Sequence, residues 1–145
     1  MTSTASFCDH GPMLGHLGVN VSDLEAAKGY YDELMPLLGY EPFLSADDQF
    51  AYMPATETRR GAFLFFYPAV EDTPYSRHRA GLQHLAFIVP TRTAVADVHR
   101  HVVETGNEVL YPPQVFPQYP QPYFATFWLD PFGFMLEAVC HADRD

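Results

Sequence analysis

The sequence predicts an α+β fold of paired βαβββ modules, whose mixed sheet curls into a cup-shaped, partly open barrel with the helices outside. The first observation is an internal repeat, in which Gly15–Val21 lies over Gln83–Val89 and His16 falls on His84. The second is that each run alternates like a half-buried strand. The third is a helical pattern after each run. Because a repeated unit decides the fold, these observations predict two similar modules.

The two predicted helices have start and end signals. Ser22 and Glu25 form a capping box before the first helix, and Gly39 marks its end. Its apolar residues recur at helical spacing, at Leu24, Ala27, Tyr31, Leu34 and Leu38. The second helix stops near Gly106 and carries a valine face of Val95, Val98 and Val102.

Three short strand-like runs close each module. In the first they are roughly Tyr40–Leu44, Gln49–Met53 and Ala62–Tyr67, and in the second Glu108–Tyr111, Phe124–Leu129 and Phe134–Val139. The segment Asp130–Gly133 suits the last hairpin, because proline fixes φ and glycine accepts an unusual dihedral angle. Thr58–Gly61 occupies the matching place in the first module.

The chain is interpreted as one domain, residues 1–145, with modules at about 13–67 and 81–139. Pro68–Ala80 links the modules. Pro112–Pro122 holds five prolines with Phe116 and Tyr119 among them, so it is not a simple linker. Two interpretations stay open for it, a lid over a pocket and a rigid crossing between strands.

Composition excludes several classes of partner. The net charge of −10 disfavours nucleic acid and anionic membranes, which need clustered Lys and Arg. No apolar run approaches the roughly 20 residues of a membrane span, and Met1–His10 lacks the order of a signal peptide. Two cysteines, Cys8 and Cys140, do not make a disulfide framework. We therefore expect a cytoplasmic protein.

Strand parity points to a metal site. His16 and His84 lie on the strand faces turned from the helices, and Glu137 lies in the last apolar strand. Two imidazoles and one carboxylate form a facial triad, which suits one divalent ion: Fe, Mn, Zn or Ni. The competing interpretation of each histidine is an ordinary hydrogen-bonded structural residue. An unpaired buried Glu is costly, however, and the repeat gives the histidines equivalent places.

Three stretches resemble the vicinal oxygen chelate superfamily, which includes glyoxalase I, extradiol dioxygenases, fosfomycin-resistance transferases and bleomycin-binding proteins. They are Leu14–Asp23, Gln83–Phe87 and Tyr123–Glu137. The resemblance implies paired modules around a metal, often in a homodimer that can share the site between chains. It also places His16, His84 and Glu137 on three of the family's ligand positions.

One position departs from the four-ligand glyoxalase pattern. Matching Gly61 with Gly133 puts Phe65 opposite Glu137, and a phenyl ring cannot bind a metal. Three ligands resemble the extradiol dioxygenases and the fosfomycin transferases instead.

Aromatic residues are the candidate substrate pocket. Phe63, Phe65 and Tyr67 share one strand face, and Tyr119, Tyr123 and Phe127 are candidates to join them. They suggest a small apolar or aromatic substrate, and ordinary core packing is the competing explanation. Tyr123 is a candidate acid or hydrogen-bond donor beside the metal, with packing again as the alternative.

The leading function hypothesis is a metal-dependent enzyme of the extradiol dioxygenase kind, acting on a small molecule as a homodimer. A glyoxalase-like lyase or isomerase, or a fosfomycin-type thiol transferase, is the second. A phosphonate substrate would need cationic groups, and only Arg59, Arg60, Arg77 and Arg79 stand near the relevant loops. A metal-free protein that binds a drug or other ligand is the third.

Overall fold

The computed structural model describes residues 11–71, 73–143 and 145. Two βαβββ modules follow each other along the chain, as the sequence predicts, and the α+β fold class is confirmed. The first module contains β1 (His16–Val21), α1 (Leu24–Leu34), a 3-10 turn (Met35–Leu38), β2 (Tyr40–Ala46), β3 (Gln49–Pro54) and β4 (Phe63–Pro68). The second contains β5 (His84–Ile88), α2 (Arg92–Glu104), β6 (Val109–Val115), β7 (Phe124–Leu129) and β8 (Met135–Cys140).

Each module forms its own four-stranded mixed sheet. The strand orders are β1-β4-β3-β2 and β5-β8-β7-β6, so the first strand of each module pairs in parallel with its last. Gly18 lies opposite Phe65 in the first sheet, and Ala86 lies opposite Glu137 in the second. Phe65 and Glu137 therefore occupy equivalent register positions, which confirms the match made from the two turn glycines.

The first helix begins one residue later than its sequence signal indicates. Asp23, not Ser22, is the N-cap, because its carboxylate accepts a hydrogen bond from the backbone N–H of Ala26. The helix ends at Leu34, and Gly39 caps the 3-10 turn that follows it with φ of +85°, which glycine adopts without strain. The valine face of α2 is buried as predicted.

The proline-rich segment differs from its interpretation as a wholly irregular stretch. Its first four residues, 112–115, continue β6, which runs to Val115. β6 is the outer strand of its sheet, and proline is tolerated there because one side of the strand makes no ladder hydrogen bonds. The pairing with β7 is irregular between Val109 and Tyr111 and again between Tyr111 and Gln114, the interval that contains these two prolines.

Both modules contribute to one hydrophobic core. Side chains facing α1 in the first module and α2 in the second belong to a single buried cluster. Two hydrogen bonds join the modules directly: Tyr31 donates to Asp130 at 2.5 Å, and the Trp128 indole donates to the Tyr30 hydroxyl at 2.9 Å. Neither module therefore buries its helix-facing surface without the other.

Asp130 ties the last turn to the first helix. Its second carboxylate oxygen accepts from the backbone N–H groups of Phe132 and Phe134 at 2.9 and 2.8 Å, and Gly133 completes the turn at φ of +88°. Burial raises the pKa of Asp130, although Tyr31 and the backbone donors oppose that rise.

Two sequence expectations concern the membrane and the cysteines. No helix among the described residues is long and apolar enough to cross a bilayer. Cys140 is buried with a free thiol, and Cys8 lies outside the described residues.

Candidate functional site

The parallel pairing of β5 with β8 brings two predicted metal ligands together. His84 is the first residue of β5, and Glu137 lies on the neighbouring strand facing the same side. His84 Nε2 is 3.3 Å from Glu137 Oε1. The carboxylate side chain is only 1% exposed, whereas the imidazole is 32% exposed. The pair thus has a buried acidic end and an accessible imidazole end.

Tyr123 supplies a second partner for the carboxylate. It immediately precedes β7, and its hydroxyl donates to Glu137 Oε2 at 2.5 Å. Burial raises the pKa of Glu137, while the Tyr123 and His84 contacts lower it. Burial and the adjacent carboxylate raise the pKa of Tyr123, so its hydroxyl stays protonated at neutral pH.

The Gln83 side chain contacts the nitrogen of His84 that faces away from the carboxylate. The Gln83 side-chain oxygen lies 3.0 Å from His84 Nδ1. An amide oxygen is only an acceptor, so Nδ1 carries the hydrogen. In the neutral ring, Nε2 then presents a lone pair towards a carboxylate oxygen 3.3 Å away. Two acceptors face each other, and a proton or a metal cation between them resolves the conflict.

The pair stands in a cavity of about 490 Å³ that is rich in aromatic rings. Tyr119, Tyr123 and Phe127 were expected near the site, and all three line this cavity with Tyr111 and Phe116. Phe127 also packs against the His84 ring, with centroids 6.0 Å apart. Phe116 and Tyr119 belong to the proline-rich segment, whose irregular part therefore forms a wall of the cavity.

His16 and three predicted pocket residues lie elsewhere. His16 is exposed on the first sheet and contacts Phe65 edge-on, with centroids 5.5 Å apart. Phe63, Phe65 and Tyr67 are half-buried on that same sheet. Nowhere in the described part of the chain do three His, Cys, Asp or Glu side chains stand close enough to hold a metal ion. A single chain does not bring His16 to the pair as expected, because the strands form two separate sheets.

Sequence reasoning missed several residues of this cavity. Gln83 was seen only as a neighbour of His84, although a side chain that fixes the tautomer of a candidate ligand is a predictable partner. Tyr111 and Arg77 also line the cavity. The strand parity of β6 could have indicated Tyr111. Arg77 was noted only as one of four arginines near loops, because an irregular linker has no signal that would place it in this cavity.

A family model matches residues 13–138 and is described as the Glyoxalase/Bleomycin resistance protein/Dioxygenase superfamily. The chain belongs to this superfamily. The match includes both modules and both residues of the His84–Glu137 pair.

Solved structures agree with this membership. A glyoxalase candidate from Bacillus halodurans is 30% identical, with a TM-score of 0.76, over 88% of this chain and 95% of that one. The fosfomycin resistance protein FosX from Listeria monocytogenes is 16% identical, with a TM-score of 0.66 over 91% and 95%. Lactoylglutathione lyase from Agrobacterium tumefaciens is 17% identical, with a TM-score of 0.62 over 90% and 94%. The last two show the fold alone. No curated protein matches the chain in sequence.

The donor set of this superfamily member fits part of a metal centre. One imidazole nitrogen with a free lone pair and one buried carboxylate are suitable ligands for a divalent ion. Their outer partners, Gln83 and Tyr123, hold both groups in place, as partners of metal ligands do. The pair supplies two ligands, however, so a facial triad requires one more.

Proposed function

We propose that this protein is a metal-dependent enzyme that binds vicinal oxygens of a small apolar or aromatic substrate, in the manner of an extradiol dioxygenase. One divalent ion, Fe, Mn, Zn or Ni, is held by His84, Glu137 and His16. The observation that carries the proposal is the His84–Glu137 pair, in which Nε2 lies 3.3 Å from a buried carboxylate oxygen beside an aromatic cavity.

The third ligand, His16, comes from a second copy of the chain in a homodimer. This inference rests on the family resemblance, and two features of the chain support it. β1 and β5 are outer strands of their sheets, and outer strands are usually paired or covered. Ile88 on β5 is 72% exposed, and Leu14 before β1 is 66% exposed. A symmetric dimer would bury these side chains. It would also place His16 of each copy beside the His84–Glu137 pair of the other copy, which gives two equivalent sites.

The side chains have separate roles in this proposal. A bound divalent ion supplies a Lewis acid to the substrate oxygens. Gln83 keeps the His84 lone pair directed at the site. Tyr123 holds a proton at Glu137 Oε2 and can donate it to a group developing negative charge. Phe116 and Phe127 exclude water from the substrate body. Phe65 contributes no ligand.

The alternative enzyme is a glyoxalase-like lyase or isomerase, or a fosfomycin-type thiol transferase. It is favoured by the fold similarity to lactoylglutathione lyase and to FosX. It is disfavoured by Phe65, which stands at the register position where a fourth ligand would complete the glyoxalase pattern. A third possibility is a metal-free protein that sequesters a ligand in the same cavity.

Metal binding distinguishes the enzymes from the metal-free protein. We expect one divalent ion per chain, and His84→Ala should weaken its binding at least about 100-fold, since even an outer partner of a ligand contributes 10–100-fold. His78→Ala is the matched control, because His78 lines the cavity outside the ligand set. Elemental analysis and calorimetric titration measure both. Full metal occupancy in the His84→Ala protein would show that the ligand assignment is wrong.

A mixing experiment tests the shared site. His16→Ala and His84→Ala proteins should each fail to bind metal alone. When the two are unfolded and refolded together, each mixed dimer should regain one intact site, built from His16 of one copy and the pair of the other. If mixing restores no binding, the site is not shared between chains.

Two assays separate the reactions. The metal-loaded protein should consume oxygen with a catechol in its Fe(II) or Mn(II) form, and it should turn over the glutathione–methylglyoxal hemithioacetal negligibly, because Phe65 leaves a metal position open. Robust hemithioacetal turnover with any of the four metals would favour the lyase.

A further inference from the structure

The cavity beside the His84–Glu137 pair contains one permanent positive charge. Among the described residues that line it, Arg77 is the sole Arg or Lys. A guanidinium remains charged at every physiological pH. The chain has only eight Lys and Arg against 18 Asp and Glu, so composition alone does not lead one to expect a basic residue in the wall of a cavity.

The Arg77 side chain has no counter-ion in the described part of the chain. It is half-buried, yet it forms no ion pair or hydrogen bond with any residue in 11–71, 73–143 or 145. Its neighbour Arg79 differs, because it is exposed and donates to the Pro74 carbonyl oxygen. A half-buried guanidinium with its donors unused is therefore available to a ligand.

The acidic group in the same cavity, Glu137, makes its described contacts with residues other than Arg77. Glu137 receives the Tyr123 hydroxyl on one oxygen and faces His84 with the other. The remaining walls are mainly aromatic rings and the neutral amides of Gln83 and Gln118. Among its described lining residues, the cavity thus combines aromatic rings with one guanidinium that no carboxylate contacts.

We propose that Arg77 binds a carboxylate of the substrate while the rings enclose its aromatic body, so that the substrate class is a small aromatic acid. This rests on the proposed function, because it names the substrate of the same cavity. A guanidinium matches a carboxylate through two parallel hydrogen bonds, and one guanidinium balances the single negative charge of a carboxylate.

Binding of two matched probes to chelator-treated, metal-free protein tests this assignment. Phenylacetate and phenylacetamide have the same shape and differ in charge. Calorimetric titration should show phenylacetate binding at least about 10-fold more tightly to the unmodified protein, as expected for a charge-assisted pair. Arg77→Gln should remove that preference, Arg77→Lys should restore part of it, and Arg79→Gln should leave it unchanged.

Three results would overturn the assignment: equal binding of the two probes, no measurable binding of either, or a preference that persists in Arg77→Gln. A preference for phenylacetate that appears only after metal is restored would also overturn it, because the metal would then be the anion site. That last result leaves the proposed metal enzyme intact. The opposite outcome is also informative. If the preference for phenylacetate depends on Arg77 but titration shows that the protein has no affinity for divalent metals, the Arg77 assignment is supported and the metal proposal is contradicted.

Discussion

The last strand of the first module places Phe65 where the last strand of the second module places Glu137. Both follow a turn ending in a glycine of positive φ, and both pair in parallel with a strand that begins with a histidine. In the second module that histidine faces a buried carboxylate at 3.3 Å. In the first it contacts a phenyl ring.

The difference shows that the repeat fixes where a side chain stands but not what it does there. One backbone plan presents a polar half-site in the second module and an aromatic surface with an exposed imidazole in the first. In the proposed shared site the two would be complementary, because the second module offers two candidate ligands and the first offers a histidine without a carboxylate. Substitutions at equivalent positions should therefore have unequal effects.

The largest effect is expected from a substitution of Glu137, which occupies the position equivalent to Phe65. Glu137→Gln should weaken divalent-metal binding at least about 100-fold, or roughly 2.7 kcal/mol, because the amide keeps the shape and removes the charge. Phe65→Leu should change the affinity less than about twofold, since it removes no ligand. Calorimetric titration compares both with the unmodified protein. Equal losses in the two variants would contradict the asymmetry of the modules.

An intermediate effect is expected for the hydrogen bonds that join the modules. Tyr31→Phe should lower the free energy of unfolding by about 1.5–3 kcal/mol, because it removes a donor from a buried carboxylate. Tyr30→Phe is the matched control, which breaks a neutral bond to Trp128 and should cost about 0.5–1.5 kcal/mol. Urea denaturation measures both. If Tyr30→Phe is the more destabilising, the Tyr31–Asp130 hydrogen bond is not the stronger of the two.

The smallest expected effect is a pH dependence of the stability that Asp130, the partner of Tyr31, contributes. Because burial raises the pKa of Asp130 above 3.8, the folded protein holds this proton more tightly than the unfolded chain does. The stability of the unmodified protein relative to Asp130→Asn should therefore be greatest at low pH and fall as pH rises through the folded pKa. Its slope is limited to about 1.4 kcal/mol per pH unit for one proton. A stability difference that rises with pH in denaturation curves would contradict the direction of the shift.

Much of the fold could be predicted, because local patterns and the global architecture agree. Strand alternation places Leu17, Val19 and Val21 on the face of β1 opposite His16, and Val21 on that face is fully buried. The N-cap prediction missed by one residue, since Ser22 and Asp23 are both good caps and only tertiary packing chooses between them. β6 was predicted too short, because proline in an outer strand does not break the strand as it would in a central one.

The pairing of His84 with Glu137 was predictable because both residues lie on strands. Parallel pairing of the first strand with the last puts His84 beside Glu137, and parity gives both the same face. The separation of His16 from this pair could not be read from the sequence, because parity fixes the face of a strand and not whether two sheets are continuous. The place of Arg77 in the cavity could not be predicted, because an irregular linker has no period that distinguishes it from the other arginines near loops.

The shared core also determines the order in which the chain can fold. β1 pairs with β4 and β5 pairs with β8, so each sheet closes only when its last strand is available. Tyr31 and its neighbours on α1 stay partly unpacked until Trp128 and Asp130, which lie near the far end of the chain, are available to contact them. Such distant pairings slow folding and leave apolar surface open during synthesis. A chain halted after β4 would have its sheet complete and one side of its core uncovered, and that fragment is where a folding chaperone would be needed most.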